Sequence, residues 1–198
     1  MLGKFQLLIK NYEQGVVSKF VHSLSVGAEV EFKHIPFNVK IQHPFSAQSE
    51  SGRPIKTVSM LCGGTGIAPM YQALQRVLAD PADSTEITLL YGNRSEADIL
   101  LRKELEALAA KHPQLKVHHI LGAAAGDSAP EGWKGEVGWI DAEKIKRLCA
   151  APAADTLVFV CGVPAMYVAL CGGRGEKEVP ADSVLATLGY TADMVYKF

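Results

Sequence analysis

The chain lacks the features that define several classes of protein. Its formal net charge is −1, so it has no excess of the basic residues that nucleic-acid binding normally needs. No apolar run approaches the roughly 20 residues that a membrane span requires, and the N-terminal residues show no signal-peptide pattern. We therefore predict no nucleic-acid partner and no membrane span in this chain.

Residues arranged to bind a metal are also lacking. The six histidines form no ligand set, and the four cysteines show no paired metal-ligand spacing: Cys62, Cys149, Cys161 and Cys171. Without a secretory context, such cysteines are typically free thiols in a reducing compartment. The sequence therefore predicts no metal site.

The first part of the chain has the residue pattern that is typical of a half-exposed antiparallel sheet. Apolar and polar residues alternate over 4–10 and 26–33, which predicts strands with one solvent-facing side. A short helix is predicted over 18–24 and a further strand over 39–45. The polar residues 47–54, marked by glycine and proline, predict a linker.

From residue 55 onward, buried strands alternate with helices. The predicted strands are 56–61, 86–91, 115–121, 156–161 and 194–198. The predicted helices are 67–79, 101–111, 141–149 and 164–171, with a turn near 183–188. This alternation predicts an α/β fold with a parallel, doubly wound sheet that helices cover on both faces. Ligands of such sheets bind at the carboxyl ends of the strands, near a topological switch point.

Two strand-to-helix turns are suited to a ligand. The first turn carries Gly63, Gly64 and Gly66, and Pro69 follows in the first helical turn. Glycines allow close approach of a ligand, and a helix N-terminus favours an anion such as phosphate. The spacing matches neither G-x-G-x-x-G nor G-x-x-x-x-G-K-[ST]. The second turn, Cys161 and Gly162, also follows an apolar strand, so we expect both turns to line one crevice.

These segments resemble a known group of enzymes. Residues 60–70 and 157–166 resemble the GGTGxxPM and CGPPxM motifs of the ferredoxin-NADP reductase superfamily, most closely its NADH–cytochrome b5 reductase branch. Residues 89–105 resemble the same branch through its N-x-x-x-x-D-I-L-L element, and the resemblance spans nearly the whole chain. It implies that 1–46 is the C-terminal part of an FAD-binding antiparallel β-barrel. It also implies that 55–198 is the NAD(P)H-binding domain, whose sheet the barrel remnant precedes.

The resemblance also implies a function. NADH would give a hydride to FAD, and the flavin would pass single electrons to an acceptor protein such as cytochrome b5. Two alternatives stay open: a reductase module of a nitrate-reductase-like or oxygenase chain, and a nucleotide-binding module without turnover. The location implied is intracellular, either cytoplasmic or on the cytoplasmic face of an organelle membrane through an upstream anchor.

For the nicotinamide, the resemblance implies two catalytic residues. Thr65 would lie where the two rings meet, and Cys161 would help to place the reactive carbon. The alternatives are that Thr65 satisfies a backbone group of its turn and that Cys161 is a small buried apolar residue. The implied nucleotide-binding residues are Gly63, Gly64, Thr65, Gly66, Pro69, Met70, Cys161, Gly162 and Met166.

For the flavin, the resemblance implies contacts near the N-terminus. The implied residues are Lys10, Tyr12, Gly15, Val16, Val17 and Ser18, together with Phe198, which would cover the flavin ring. The alternatives are that Gly15 ends a hairpin, that Ser18 caps a helix, and that Phe198 belongs to the inner face of an edge strand.

The chain departs from the family pattern in three ways. It has no R-x-Y-[ST] motif, which holds the flavin in the family, so we expect FAD binding to be weak or absent. Gly122 stands where the family has an acidic residue that favours NADH, and Asp127 is displaced. Val163 replaces a proline, and we expect this change to leave the site intact.

Overall fold

The computed structural model describes residues 4–33, 45, 53–122 and 130–198. The chain forms two compact units, Met1–Val39 and Lys40–Phe198. The predicted linker over 47–54 and strand over 39–45 lie, except for Phe45 and residues 53–54, outside the described residues. The predicted domain boundary after residue 46 stays a prediction.

The second unit contains a six-stranded sheet. Its strands are β1 (Thr57–Gly63), β2 (Glu86–Asn93), β3 (Leu115–Leu121), β4 (Glu136–Val137), β5 (Thr156–Cys161) and β6 (Val195–Lys197). All neighbouring strands are parallel, in the order β4-β3-β2-β1-β5-β6. The predicted parallel α/β sheet is therefore confirmed, and the short edge strand β4 is an addition to the prediction.

The strand order reverses between β1 and β5. From β1 the chain builds outward through β2, β3 and β4, and then returns to place β5 on the other side of β1. Cys62 of β1 pairs in register with Cys161 of β5. The carboxyl ends of these two strands therefore form the topological switch point, where ligands of such sheets bind.

Helices cover both faces of the sheet. They are α2 (Ile67–Leu78), α3 (Arg102–Lys111), α4 (Ala142–Leu148), α5 (Pro164–Cys171) and α6 (Val184–Thr187). Side chains of α2 and α3 pack with Met60, Cys62 and Phe159 on one face, whereas α4, α5 and α6 pack with Leu61 and Val160 on the other. Because β1, β2 and β5 are largely buried on both faces, their sequences are mostly apolar, with Ser59 and Thr88 as interior exceptions.

The first unit differs from its prediction. Helix α1 (Val16–Ser23) is present, close to the predicted 18–24. The strands predicted over 4–10 and 26–33 are wrong, because neither segment belongs to a strand in the described part of the chain. Phe5 and Phe32 nevertheless stack edge to face, with ring centroids 5.6 Å apart. The alternating residues thus bring side chains together without a backbone ladder.

Among the described residues, none of the helices has both the length and the apolar composition that crossing a bilayer requires.

Candidate functional site

The first turn leaves room next to its backbone. After β1, residues Gly64–Gly66 form a 3-10 turn that leads directly into α2. Gly64 has a φ of +54°, and a Cβ added there would meet no atom within 4 Å. The left-handed backbone therefore favours glycine. The positive end of the α2 dipole points to the same place and suits an anion.

Tyr91 of β2 fixes this turn through hydrogen bonds of its hydroxyl. Its hydroxyl donates to the carbonyl oxygen of Gly64 at 3.0 Å and accepts the N–H of Leu100 at 3.3 Å. Its side chain is fully buried. Burial, followed by the nearby Cys62 thiol, raises the pKa of Tyr91 well above its usual range. The phenol is therefore a neutral hydrogen-bonding group that fixes the turn.

The second turn leads into α5, a helix whose first residue is a proline. Val163 has a φ of −72° and precedes Pro164 at the first position of α5. The carbonyl oxygen of Val163 accepts the N–H of Met166 at 2.9 Å. The φ of Val163 lies within the range that a proline ring imposes. The valine therefore keeps the backbone that the family's proline would give at this point.

The two turns touch each other. A Cβ added to Gly66 would lie 2.1 Å from the carbonyl oxygen of Cys161, and one added to Gly162 would lie 3.6 Å from the nitrogen of Gly63. The Met166 sulfur packs on both Gly63 and Gly162, since added Cβ atoms would lie 3.4 and 2.4 Å from it. Residues 63–66, Cys161, Gly162 and Met166 therefore form one switch-point site.

Thr65 and Cys161 both lie at the carboxyl-end edge of the sheet, Thr65 just after β1 and Cys161 at the end of β5. Thr65 is exposed, while its neighbour Gly66 is buried against Cys161. The Cys161 side chain is half-buried and packs on the core face that contains Cys62. The structure thus brings together the two residues that the sequence singled out for the nicotinamide.

All four cysteines are free thiols, as predicted. Burial raises the pKa of Cys161, while Tyr167 and Arg174 lower it in part. Burial, followed by the adjacent Cys161, raises the pKa of Cys62 well above its usual value. Both thiols at the switch point are therefore protonated near neutral pH, and the site offers a compact apolar sulfur rather than a thiolate nucleophile.

Other predicted residues of this unit lie in the core. Met70 is fully buried in the core between α2 and the sheet. Pro69 is half-buried in the first turn of α2. Phe198 is 5 % exposed and stacks edge to face on Phe159 and Tyr196 at 5.5 and 4.9 Å. Phe198 therefore packs within the second unit, next to β5.

Of the residues predicted for the flavin, those from Tyr12 to Ser18 lie around one turn of the first unit. The Gly15 N–H donates to the carbonyl oxygen of Tyr12 at 2.9 Å. The Ser18 hydroxyl accepts the N–H of Tyr12 at 3.3 Å and donates to the Gly15 carbonyl at 3.4 Å. Val16 and Val17 are highly exposed at the start of α1. Lys10 lies within the non-helical segment 4–12 that leads into the turn. The Ser18 hydroxyl thus stabilises the turn itself.

The end of β3 has room for the acidic residue that is absent. The N–H of Gly122 donates to the carbonyl oxygen of Asn93 at 2.7 Å. A Cβ on Gly122 would lie 3.5 Å from that oxygen, which is an ordinary contact. Asp127 lies outside the described residues. The backbone here therefore permits a side chain, and glycine is not required by packing.

Two residues of the site were missed by sequence reasoning. Tyr91 and Tyr167 each place a buried hydroxyl on a backbone oxygen near the switch point. Both lie within apolar runs, where tyrosine is an ordinary core residue. Only the tertiary contact, across 27 residues for Tyr91 and 31 for Tyr167, distinguishes them.

The switch-point site has features that suit an anionic ligand. Open space beside Gly64 and the N-terminus of α2 suit a phosphate-bearing ligand. A parallel sheet with two such turns at its switch point defines a nucleotide-binding α/β domain. The family model described as the oxidoreductase NAD-binding domain matches residues 60–172. The chain belongs to this family.

Several curated proteins are similar over the length of the chain. The chain is 37% identical to NADH-cytochrome b5 reductase 2 of Debaryomyces hansenii over 99% of its own length and 62% of that protein. It is also 37% identical to NADH-cytochrome b5 reductase 1 of Dictyostelium discoideum, over 99% of its length and 60% of that protein. The chain thus spans about three fifths of these relatives.

Solved structures share the fold. The cytochrome b5 reductase domain of Ulva prolifera nitrate reductase is 34% identical, with a TM-score of 0.60, over 77% of this chain and 57% of that one. The CS-b5R domains of human Ncb5or in the NAD+ form are 22% identical, with a TM-score of 0.67, over 94% of this chain and 46% of that one. The second likeness shows the fold alone.

Proposed function

We propose that the chain carries the nicotinamide-binding part of a flavin-dependent reductase, in which NADH delivers a hydride to FAD. Single electrons would then pass to an acceptor protein such as cytochrome b5. The contact of Gly66 with Cys161 carries this proposal, because it joins both turns into one site. The names of the relatives supply NADH and cytochrome b5, whereas FAD is what the family resemblance implies.

Each part of the site has a physical task. The α2 N-terminus would bind the pyrophosphate, and residues 63–66 would let it approach the backbone. The Thr65 hydroxyl would orient the nicotinamide by hydrogen bonding, and Cys161 would pack against its ring. The nicotinamide and flavin supply the redox chemistry when bound, while the protein contributes distance, orientation and exclusion of water.

NADH oxidation with ferricyanide as the electron acceptor tests the proposal. The assay is run with and without added FAD, on this chain and on a fusion to the part of a relative that the chain does not match. We expect FAD-dependent turnover by the fusion. Nucleotide binding without turnover in both proteins would instead favour a binding module.

Two test variants and two control variants check the assigned residues, in the fusion that is expected to turn over. Thr65→Ala and Cys161→Ala are each expected to lower hydride transfer about tenfold, because each removes an orienting contact. Thr187→Ala, at an exposed hydroxyl on α6, and Cys149→Ala, at a half-buried thiol on the opposite face, are the matched controls. Unchanged rates for both test variants would remove Thr65 and Cys161 from the site.

A second candidate is a reductase module within a larger electron-transfer protein. The similarity to the reductase domain of nitrate reductase favours it. The two candidates differ in the acceptor, so the discriminating measurement is the rate of reduction of cytochrome b5 compared with that of a covalently linked haem domain. Faster reduction of free cytochrome b5 supports the first candidate.

The flavin is expected to bind weakly to this chain on its own. The R-x-Y-[ST] motif is absent, and a charge-assisted hydrogen bond of the kind it supplies contributes roughly 1.5–3 kcal/mol. Its loss predicts FAD affinity at least about tenfold lower. A purified chain with one flavin per protein by absorbance would contradict this expectation.

A further inference from the structure

Asn93 ends strand β2 with a buried side-chain amide. The residue is 8 % exposed, and among the residues that the structure describes neither the nitrogen nor the oxygen of this amide has a hydrogen-bond partner. An unpaired amide that leaves water costs free energy, so folded proteins rarely keep one without a reason. A bound ligand is one such reason, and the position of Asn93 decides whether it applies.

The amide lies beside the first turn of the switch-point site. Gly92 pairs in register with Gly63, so Asn93 is one residue further along, level with Gly64 at the start of the turn. Side chains alternate along a strand, so Asn93 shares the face of Tyr91, whose hydroxyl reaches the Gly64 carbonyl at 3.0 Å. Asn93 is two residues nearer to the carboxyl end of β2, which is the edge where ligands of such sheets bind.

Both atoms of the amide can be satisfied by a pair of neighbouring hydroxyl groups. The NH2 group only donates and the amide oxygen only accepts. A phosphate oxygen accepts, so it can bond to the NH2 group but leaves the amide oxygen unpaired. A hydroxyl both donates and accepts. The 2′- and 3′-hydroxyls of a ribose can therefore serve the nitrogen and the oxygen together.

The order of the strands selects which ribose of a dinucleotide this is. β5, which carries Cys161, and β2, which carries Asn93, lie on opposite sides of β1, and two strand spacings separate them by roughly 10 Å. In the proposed function the nicotinamide packs on Cys161, and the pyrophosphate lies at the N-terminus of α2, which follows β1. A dinucleotide that crosses the strand ends in this order brings its adenosine half to β2.

We propose that Asn93 is a further NADH-binding residue, whose amide hydrogen-bonds to the 2′- and 3′-hydroxyls of the adenosine ribose. The proposal rests on the proposed function for the direction in which the nucleotide lies. The end of β3 fits this assignment, because the Gly122 N–H donates to the main-chain oxygen of Asn93 at 2.7 Å. Gly122 thus holds the backbone of Asn93 and has no side chain that could replace the amide at the ribose.

Calorimetry with ADP and with 2′,3′-dideoxy-ADP tests the proposal, because the two ligands differ only in the ribose hydroxyls. Asn93→Ala removes two hydrogen bonds to those hydroxyls, so it should bind ADP about tenfold more weakly than the unmodified chain. Dideoxy-ADP should bind equally well to both proteins. The matched control is Ser59→Ala, which removes a buried hydroxyl without a partner among the described residues, at the middle of β1, and should bind both ligands as the unmodified chain does.

A loss in Asn93→Ala that is confined to ADP supports the proposal. Equal losses for ADP and dideoxy-ADP would overturn it, and so would unchanged binding of ADP, the result expected if water is the partner of the amide. Failure of the unmodified chain to bind ADP would also overturn it.

A second variant, Asn93→Asp, does not depend on folding of the alanine variant. A carboxylate can still accept from the ribose hydroxyls, but it repels the 2′-phosphate of NADPH. At a pH at which the carboxylate is ionised, the preference for NADH over NADPH should therefore rise about tenfold, and an unchanged preference would overturn the proposal. Because neither measurement requires turnover, failure of the proposed reaction is seen separately, as an inactive fusion in the ferricyanide assay.

Discussion

The two units of the chain use apolar residues in opposite ways. In the second unit, the central strands bury mostly apolar runs between two layers of helices. In the first unit, large apolar side chains remain exposed, among them Phe5, Val16, Val17, Phe20 and Val26. A strand is stable only when its backbone groups find partners. The comparison shows that alternation alone does not make a strand, whereas a buried run between helices does.

The largest expected difference between the units is in how much stability is lost when a phenylalanine is replaced by alanine. Phe159 is fully buried and contacts Phe45, Tyr196 and Phe198. Phe159→Ala should lower the free energy of unfolding by about 3–5 kcal/mol. Phe5→Ala, at a side chain that is 69 % exposed, should cost less than about 1 kcal/mol. Urea denaturation measures both, and a similar loss in the two variants would contradict the contrast.

Gly66 and Gly15 differ in what an added Cβ would meet. The Cβ in Gly66→Ala would meet the backbone of Cys161 at 2.1 Å, and the backbone cannot move aside without separating the two turns. We expect a loss of about 3 kcal/mol in unfolding free energy and weaker binding of NADH by calorimetry. The matched variant is Gly15→Ala, whose Cβ would lie 2.2 Å from the Ser18 Oγ. That hydroxyl can rotate away at the loss of its hydrogen bonds within the turn, and the Tyr12 Cβ at 3.1 Å must shift slightly. The expected cost is therefore smaller, about 1 kcal/mol, and an equal cost for both glycines would argue against the contact described.

The smallest expected effect on stability comes from a helix N-cap, which α4 has and α1 lacks. Asp141 caps α4 by accepting the N–H of Lys144 at 2.9 Å, whereas Gly15 before α1 has no side chain to do so. Burial raises the pKa of Asp141, but hydrogen bonds and the charge of Lys144 outweigh it, and the net shift is downward. The cap therefore stabilises the fold above the ordinary pKa of 3.8 and is lost as the pH falls through the lower, folded-state value.

Asp141→Ala should cost about 1 kcal/mol at pH 7, and the cost should shrink as the pH falls below the ordinary value. Asp141→Asn is the control, since an amide oxygen still accepts the N–H of Lys144 but does not titrate in this range. Urea midpoints at several pH values measure both variants. A penalty for Asp141→Ala that is independent of pH would show that the carboxylate charge contributes nothing.

Much of the second unit could be predicted from sequence because its strands and turns are marked by residues close together in the chain. Apolar runs mark the buried strands, and glycine or proline marks the turns, so the position of the switch-point site followed from the strand ends. Strand β4 has only two residues, too few for any periodicity. The tasks of Tyr91 and Tyr167 depend on contacts between distant segments, which no local pattern encodes. The first unit failed for a related reason, since alternation specifies a face but not a pairing partner.

Hydrogen–deuterium exchange with and without NADH tests the central claim most directly, that the two turns form one nucleotide site. We predict simultaneous protection of peptides that contain residues 63–66 and of peptides that contain Cys161 and Gly162, with residues 4–33 unchanged. Protection of one turn without the other, or protection confined to the first unit, would contradict the claim.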